Sequence, residues 1–372
     1  MKIIFPDYNN CLTNVTNSIL KYYGIETYHE SLKELDKILE KRNYKNIVYM
    51  LYDGMGANLL KRNLKDTDFL NKNKLKDIHA IFPPTTTAST TSVLSGKNPN
   101  EHGWLGWDLY FENLDKTVTM FLNTIKDTTT KVFERSISEE TYPYENIVKK
   151  ISSKVNSHIL YPFGENHYQD LDDMHNRILD ICNNGERNFI YAYSDEPDHT
   201  MHELGTDAKE TIELFKNMND KTKILCDKLN DTLVILVADH GHLNCEPITL
   251  SEYDDVFTLL KQTTSIESRA CAFFIKNGEE KHFVELFNKY FGEDFILLSK
   301  EEVIKKQIFG PGENNKHFEN VIGDYLAIAT SNKFFRYDEN SINLKSMHAG
   351  ITEDEVLVPL ILVKRKEYKN EM

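Results

Sequence analysis

The chain has 372 residues, with 44 Lys and Arg against 58 Asp and Glu, a formal net charge of −14 and a 40% apolar share. That length exceeds one ordinary core, and 27% charged with 11% aromatic residues excludes a disordered chain. The acid excess argues against a nucleic-acid scaffold, which needs a concentrated basic surface, and no apolar run approaches the ~20 residues that span a bilayer. Short basic runs such as Lys149-Lys150 read as solvated faces. The opening MKIIFPDYNN turns polar too early for a signal peptide. Cys11, Cys182, Cys226, Cys245 and Cys271 are odd in number and form no C-x-x-C, so buried reduced thiols are expected, in a cytoplasmic enzyme.

In chain order, Ser31 and Glu34 have capping-box spacing ahead of Leu32, Leu35, Ile38 and Leu39, which predicts a helix. Apolar runs at 46–52, 77–82 and 157–162 predict strands. A helix with Leu171, Met174, Ile178 and Cys182 on one face follows, closed by Gly185. The run 188–193 is the next strand, a long helix covers about 207–229, and LVILV at 233–237 is a strand again. The last strand is 356–363, where Pro359 predicts an edge or a bulge. This alternation predicts an α/β fold, a mostly parallel sheet with helices on both faces. Between 247 and 344 the rhythm changes to a helix at 251–261, strands at 270–276, 325–330 and 334–337, a helix at 279–290 and another capped by Ser299 with Glu302. We therefore expect a core of 1–246 and 345–372 with a small α+β insert at 247–344, in which Gly310-Pro311-Gly312 forms a flexible loop.

Three of the apolar strands end in acidic or histidine residues: Asp53, then Asp195, Asp198, His199 and His202, then Asp239 and His240. Ligand sites in open α/β sheets lie at the carboxyl ends of strands, so topology brings these groups together. A single Asp at a strand end is more often a cap or turn-former, but three adjacent ends of this kind point to function. Converging carboxylates and imidazoles need a cation, and mixed His/Asp shells suit zinc or manganese. The Thr/Ser run at 85–92 leads into an apolar stretch, and a hydroxyl at a helix start lies where free N–H groups hold an anion.

Five motifs carry a resemblance: D-G-M-G-A-N at 53–58, P-P-T-T-T-A with S-G and E-H-G across 83–103, E-P-D-x-x-x-H-x-x-G at 196–205, D-H-G at 239–241 and M-H-A-G at 347–350. In this order they resemble the type I phosphodiesterase/nucleotide pyrophosphatase branch of the alkaline phosphatase superfamily. The resemblance implies two divalent metal ions, zinc first and manganese second. Asp53, Thr86, Asp239 and His240 hold one, and Asp198, His202 and His348 the other. It also implies that Thr86 is the nucleophile, being ten residues before Gly96; Thr85 and Thr87 remain as one-residue slips. Asp195 and His199 repeat the separation of Asp198 and His202, but the E-P-D context and Gly205 favour the latter pair. His199 is then expected at the surface or behind the ligands, and His102 in a structural role. His242, two residues after His240, is a lesser candidate for the site.

One departure is Trp107, which stands where the family carries an Asn that donates to the phosphoryl oxygen. Trp107, Trp104, Tyr110 and Phe111 suggest an aromatic substrate wall, with core packing as the commoner role for such residues. The expected function is hydrolysis of a phosphodiester or pyrophosphate in a small phosphate-ester substrate through a phospho-threonine. A phosphomonoesterase or phosphomutase on the same site, and a non-catalytic regulatory protein keeping the fold, are the alternatives. A monoester enzyme needs an extra cationic group for the dianion; Lys97 is the only Lys or Arg in 82–106, and Arg269 and Arg336 are the first candidates in the insert. No C/S-x-P-x-R context supports a sulfatase.

Overall fold

A computed structural model describes residues 1–341 and 343–366; Ile342 of the expected insert and 367–372 of the expected core lie outside the described residues. The central sheet contains β1 (Asn46–Tyr52), β2 (Lys74–His79), β3 (Asn156–Leu160), β4 (Asn188–Ser194), β5 (Thr232–Val237) and β6 (Leu357–Arg365), in the order β2-β6-β5-β1-β4-β3. Strands β1, β3, β4 and β5 are parallel, and β6 runs antiparallel to both neighbours. Every residue of β1, β4 and β5 is buried, because helices flank the sheet and a covered parallel strand needs an unbroken apolar run. Helix Leu171–Cys182 starts where the Asp170 carboxylate accepts from the Asp173 N–H at 2.8 Å, and it buries Met174, Ile178 and Cys182. It packs beside helix Lys209–Lys228.

Local patterning misleads at two places in this layer, and at a third, Pro359, the bulge rather than the edge is met. Helix Lys33–Leu39 begins at Leu32 without a side-chain cap. The buried Asp36 carboxylate collects hydroxyls from Ser18 and Ser31 and the Lys21 ammonium, each at 2.6 Å, and so withdraws Ser31 from the helix start. The strand expected at 77–82 is β2, Lys74–His79, because Ala80–Phe82 leave the ladder while staying buried. Pro359 lies on an interior strand rather than an edge, and a register shift follows it between Leu360 and Ile361. The Leu357–Ile361 half pairs with β2, and pairing passes to β5 from Ile361 onward, so the missing proline N–H breaks no β5 bond.

A second, seven-stranded sheet draws on two stretches of chain. Phe295–Ser299, Tyr325–Ala329, Ala270–Phe273 and Ser265–Ile266 come from 247–344; Asp108–Phe111, Lys116–Thr119 and Thr124–Ile125 complete it. The two halves join where Ile266 pairs with Asp108. Helix Glu280–Phe291 presses Phe283, Phe287 and Phe291 onto Phe273, Phe295 and Phe335. The helix expected at 251–261 is a single turn at Leu250–Glu252 and a short helix at Asp254–Phe257, since the backbone beyond pairs with 274–276 through Lys261 N–H to Phe274 O at 2.8 Å and Lys276 N–H to Leu259 O at 2.9 Å. The Ser299–Glu302 capping box forms. Gly310-Pro311-Gly312 is packed rather than free: Asn98 Nδ2 donates to Pro311 O at 2.9 Å, and Asn315 N–H to Asn100 O at 2.6 Å. Four cysteines are buried, Cys245 is half-buried, and all five are unbonded. Among the described residues no helix is long and apolar enough to cross a membrane.

Candidate metal centre

Strand register assembles the site. Tyr52 pairs with Ser194 on one side, and Leu51 with Val237 on the other. Carried on past the strand ends, that register sets Asp53 beside Asp195 and Asp239. Asp195 turns out to solvent, and the chain must pass Glu196-Pro197 before helix Asp198–Leu204 delivers Asp198 and His202 inward. His199, on the outer face of that helix, lies 3.7 Å from exposed Glu203. The glycines of the motifs permit the close approach. A Cβ on Gly241 would sit 1.9 Å from Asp354 O, and Gly54, at φ +73°, has Asp198 Cβ 3.0 Å from where its own would be.

Helix Thr86–Ser95 faces these strand ends, anchored by Ser89 Oγ donating to Asp239 O at 3.0 Å. Thr86 is its first residue and the one partly exposed position in 81–90. Its Oγ1 lies 3.1 Å from Asp53 Oδ2 and 3.2 Å from His240 Nε2. The Thr85 hydroxyl donates to Glu267 at 2.6 Å, and that of Thr87 is buried without a partner, so of the three threonines Thr86 faces the cluster. His348 Nε2 stands 3.8 Å from Asp198 Oδ1, and His202 Nε2 3.4 Å from Asp198 Oδ2. Tyr193, unremarked in the sequence, donates its hydroxyl to Asp53 Oδ2.

Among the described residues, two sets of donors have ligand atoms within 4.8 Å of one another: Asp198, His202, His242 and His348, and Asp53, Asp198 and His240. Asp198 thus stands between both sets rather than in one alone. Asp239 completes the second region, with Oδ2 3.5 Å from His240 Nε2. Its Oδ1 accepts from the N–H groups of Gly54 and His240 at 3.0 Å, whereas Oδ2 is buried with no hydrogen-bond partner. A buried, unpartnered carboxylate oxygen is costly, and a cation relieves it. The imidazoles say the same. His202 and His348 each turn Nδ1 to a backbone carbonyl, Ser346 O at 2.8 Å and Pro84 O at 3.1 Å, and His240 Nδ1 lies 3.1 Å from Gly241 O. A carbonyl accepts only, so Nδ1 carries a proton, and in the neutral ring that a cation selects each Nε2 presents a lone pair toward the carboxylates. That is the arrangement of metal-ligating histidines, and this donor set fits divalent cations.

Electrostatics follow from burial and crowding. Burial first, and the Asp53 charge second, pushes Asp239 well above the usual carboxylate range. Burial would lower His240, but the Asp239 and Asp53 carboxylates overcome it and raise the ring to about 10. Burial would raise Asp198, yet the imidazoles of His202, His348 and His240 hold it low. Burial holds His348 well below its ordinary value.

Several expected neighbours have partners of their own outside the cluster. His102 is buried against Ser92 Oγ at 3.0 Å and accepts from Trp104 N–H at 3.1 Å, a structural role. Trp104 is core, its indole N–H bonded to Tyr142 O at 2.8 Å. Trp107 is 38% exposed, edge-on to exposed Phe121, with its backbone N–H donated to Glu267 at 2.7 Å. Lys97 sits over the Tyr28 ring, 4.8 Å from its centroid. Arg269 pairs with Glu355 at 2.7 Å and also donates to Ser331 O and Lys333 O, and Arg336 serves the carbonyls of Glu339 and Ser341. Both arginines are committed away from the cluster. His242, a lesser candidate in the sequence, is brought into the donor set with Asp198, His202 and His348; it directly follows D-H-G, where a histidine serves no obvious turn or cap.

Comparisons with known proteins give the chain a family and relatives in fold. The profile of type I phosphodiesterase / nucleotide pyrophosphatase matches residues 47–349. No curated protein matches the chain. Among solved structures, murine ectonucleotide pyrophosphatase / phosphodiesterase 5 superposes with a TM-score of 0.65 at 16% identity, covering 86% of this chain and 88% of that one. The same murine protein, as an inactive variant in complex with AMP, gives 0.64 at 17%, covering 86% and 87%. Phosphonoacetate hydrolase from Sinorhizobium meliloti 1021 with phosphonoformate gives 0.62 at 13%, covering 87% and 90%. At these identities the superpositions speak for the fold, while the match over 47–349 assigns the lineage: the chain belongs to the type I phosphodiesterase / nucleotide pyrophosphatase family, a family of metal-dependent hydrolases.

Proposed function

We propose that this hydrolase cleaves phosphodiester or pyrophosphate bonds by way of a phospho-threonine on Thr86, with two divalent cations, zinc first and manganese second. The observation that carries the reading is the Thr86 hydroxyl, at the start of a ten-residue helix and within 3.2 Å of both Asp53 and His240. When bound, the cations supply Lewis acidity that lowers the pKa of a hydroxyl or water and neutralises charge on the phosphoryl group. Asp53, Asp239, His240 and Thr86 would hold one, and Asp198, His202 and His348 the other. Thr86 Oγ1 forms the new bond to phosphorus as the bond to the leaving oxygen breaks. Water then displaces Oγ1 from phosphorus and restores the hydroxyl. Tyr193 keeps Asp53 oriented, and first-turn N–H groups of the Thr86 helix are free to face phosphoryl oxygens.

The substrate reading favours a diester or pyrophosphate with an organic leaving group. Lys97, Arg269 and Arg336 are committed elsewhere, so none of the three is free to meet the extra charge of a monoester dianion. Trp107 and Phe121 offer an exposed aromatic edge instead, and the AMP complex of the murine relative supports a nucleotide-like ligand. The test is kcat/KM for bis-nitrophenyl phosphate against nitrophenyl phosphate, with zinc or manganese added. The diester exceeds the monoester at least roughly tenfold, about 1.4 kcal/mol of transition-state preference, and a clear reversal selects the phosphomonoesterase or phosphomutase reading. Five unbonded cysteines support a reducing, cytoplasmic compartment.

A further inference from the structure

We propose that His242 is a fourth protein donor to the cation held by Asp198, His202 and His348, making that site a three-imidazole, one-carboxylate centre for a zinc-class ion that is bound more tightly than the ion at Asp53, Asp239, His240 and Thr86. The inference rests on the two-metal reading above and adds a ligand and an order of affinity to it.

His242 reaches the site by strand pairing. Asn244 pairs with Ser346 and Leu243 with Met347 in a short antiparallel ladder. One step further, His242 comes opposite His348, and their rings lie 5.0 Å apart. The His202 ring is 4.6 Å from that of His242 and 5.2 Å from that of His348, so the three imidazoles form a triangle over Asp198. His242 Nε2 contacts Asp198 Oδ1 directly.

The proton inventory decides what that contact is. Ser346 Oγ donates its only proton to Met201 O at 2.6 Å, so it must accept from His242 Nδ1 at 3.0 Å. In the neutral ring Nε2 is then bare, facing a carboxylate oxygen that is also an acceptor. Two acceptors in contact require a proton or a cation shared between them. His242 is 1% exposed, and an imidazolium there would add a buried charge beside His202, His240 and His348. A divalent cation satisfies the same lone pair together with those of His202 and His348. Ser346 sets two of the three tautomers, His202 through its carbonyl and His242 through its hydroxyl.

Ligand chemistry makes the two sites unequal. Three imidazoles with one carboxylate suit zinc, cobalt or nickel and disfavour magnesium or manganese, whereas three oxygens and one imidazole around Asp53 accept harder ions more readily. The histidine-rich site should keep its ion through mild chelation while the oxygen-rich site exchanges.

The test uses the full chain, stripped with chelator and titrated with Zn2+ against a competing indicator, then loaded with Co2+ for visible absorption. The wild type binds two ions of unequal affinity. His242→Gln weakens the tighter Kd at least roughly tenfold and changes the cobalt band, while Asp239→Ala removes the weaker ion and leaves the tighter Kd and band in place. An unchanged tight Kd and cobalt spectrum in His242→Gln overturns the proposal and makes His242 a hydrogen-bond partner of Asp198. A wild type that binds no ion overturns the two-metal reading itself, and this proposal with it. Should His242→Gln fail to fold, imidazole nitrogen NMR of the zinc-loaded wild type decides. Four metal-shifted Nε2 resonances, from His202, His240, His242 and His348, support the proposal, and three overturn it.

Discussion

Among the described residues, two of the buried clusters of charge are built on opposite terms. Around Arg269 and Glu355 every group is answered. The guanidinium meets the carboxylate at 2.7 and 2.9 Å and donates to two carbonyls, while Glu355 also accepts from Gly350 N–H at 2.6 Å and the Thr352 hydroxyl at 2.7 Å. Around Asp239 and Asp198 the account stays open: one carboxylate oxygen has no partner, and the anchored imidazoles aim bare nitrogens at carboxylates. Asp239 is as fully inside the protein as Arg269 and Glu355, so burial alone does not separate structure from chemistry. Satisfaction does: a closed network holds a loop in place, and an open one marks a place for an ion.

That contrast can be broken or sharpened by substitution. The largest effect belongs to the open cluster. Thr86→Ala lowers kcat at least ~10⁴-fold, about 5.5 kcal/mol, while Tm stays within a few degrees of the wild type, and Thr86→Ser keeps measurable turnover. If Thr85→Ala or Thr87→Ala is the inactive variant, the nucleophile lies one residue away. Next comes the closed cluster. Arg269→Ala strands the Glu355 carboxylate and costs about 3–5 kcal/mol in denaturant unfolding, whereas Arg269→Met with Glu355→Leu recovers most of that loss. Equal damage from the single and double variants would mean that the loop contacts, not the charge, are what matter.

Smaller effects test the open cluster from the other side. In the chelator-treated chain, Asp239→Asn raises stability by about 1–2 kcal/mol, because it removes a crowded buried charge while its remaining oxygen still accepts from Gly54 and His240. With zinc in excess the order inverts, since the wild type gains binding energy that the variant has lost. The last effect is spread over pH and concerns Glu267, which burial pushes up to about 7 against the hydrogen bonds from Thr85 and Trp107. A carboxyl whose folded pKa is raised favours folding fully below its ordinary 4.5 and loses that contribution as pH rises through about 7. Glu267→Gln therefore flattens the stability–pH curve across that window by up to about 3 kcal/mol, and a curve unchanged by the substitution removes Glu267 as its source.

Sequence alone was sufficient for the buried parallel strands of the central sheet and for the polar residues that end them. Fully buried parallel strands need unbroken apolar runs, so 46–52, 188–193 and 233–237 were visible without any contact information. The residues that end them were visible too, because D-G, E-P-D and D-H-G interrupt those runs abruptly. What local pattern could not supply was anything that depends on a partner distant in sequence. The strands at 108–125 are short and mixed in character, and they exist because Ile266 offers Asp108 an edge to pair with. Ser31 lost its cap to Asp36, a competitor visible only once the fold is closed. Arg269 looked like a spare cation until Glu355 claimed it. His242 looked incidental until Met347 paired with Leu243 and set it opposite His348. Apolar periodicity is a property of a segment, whereas the satisfaction of a buried polar group belongs to the whole fold, and so tertiary structure decided which of these polar residues close a network and which leave one open for a metal.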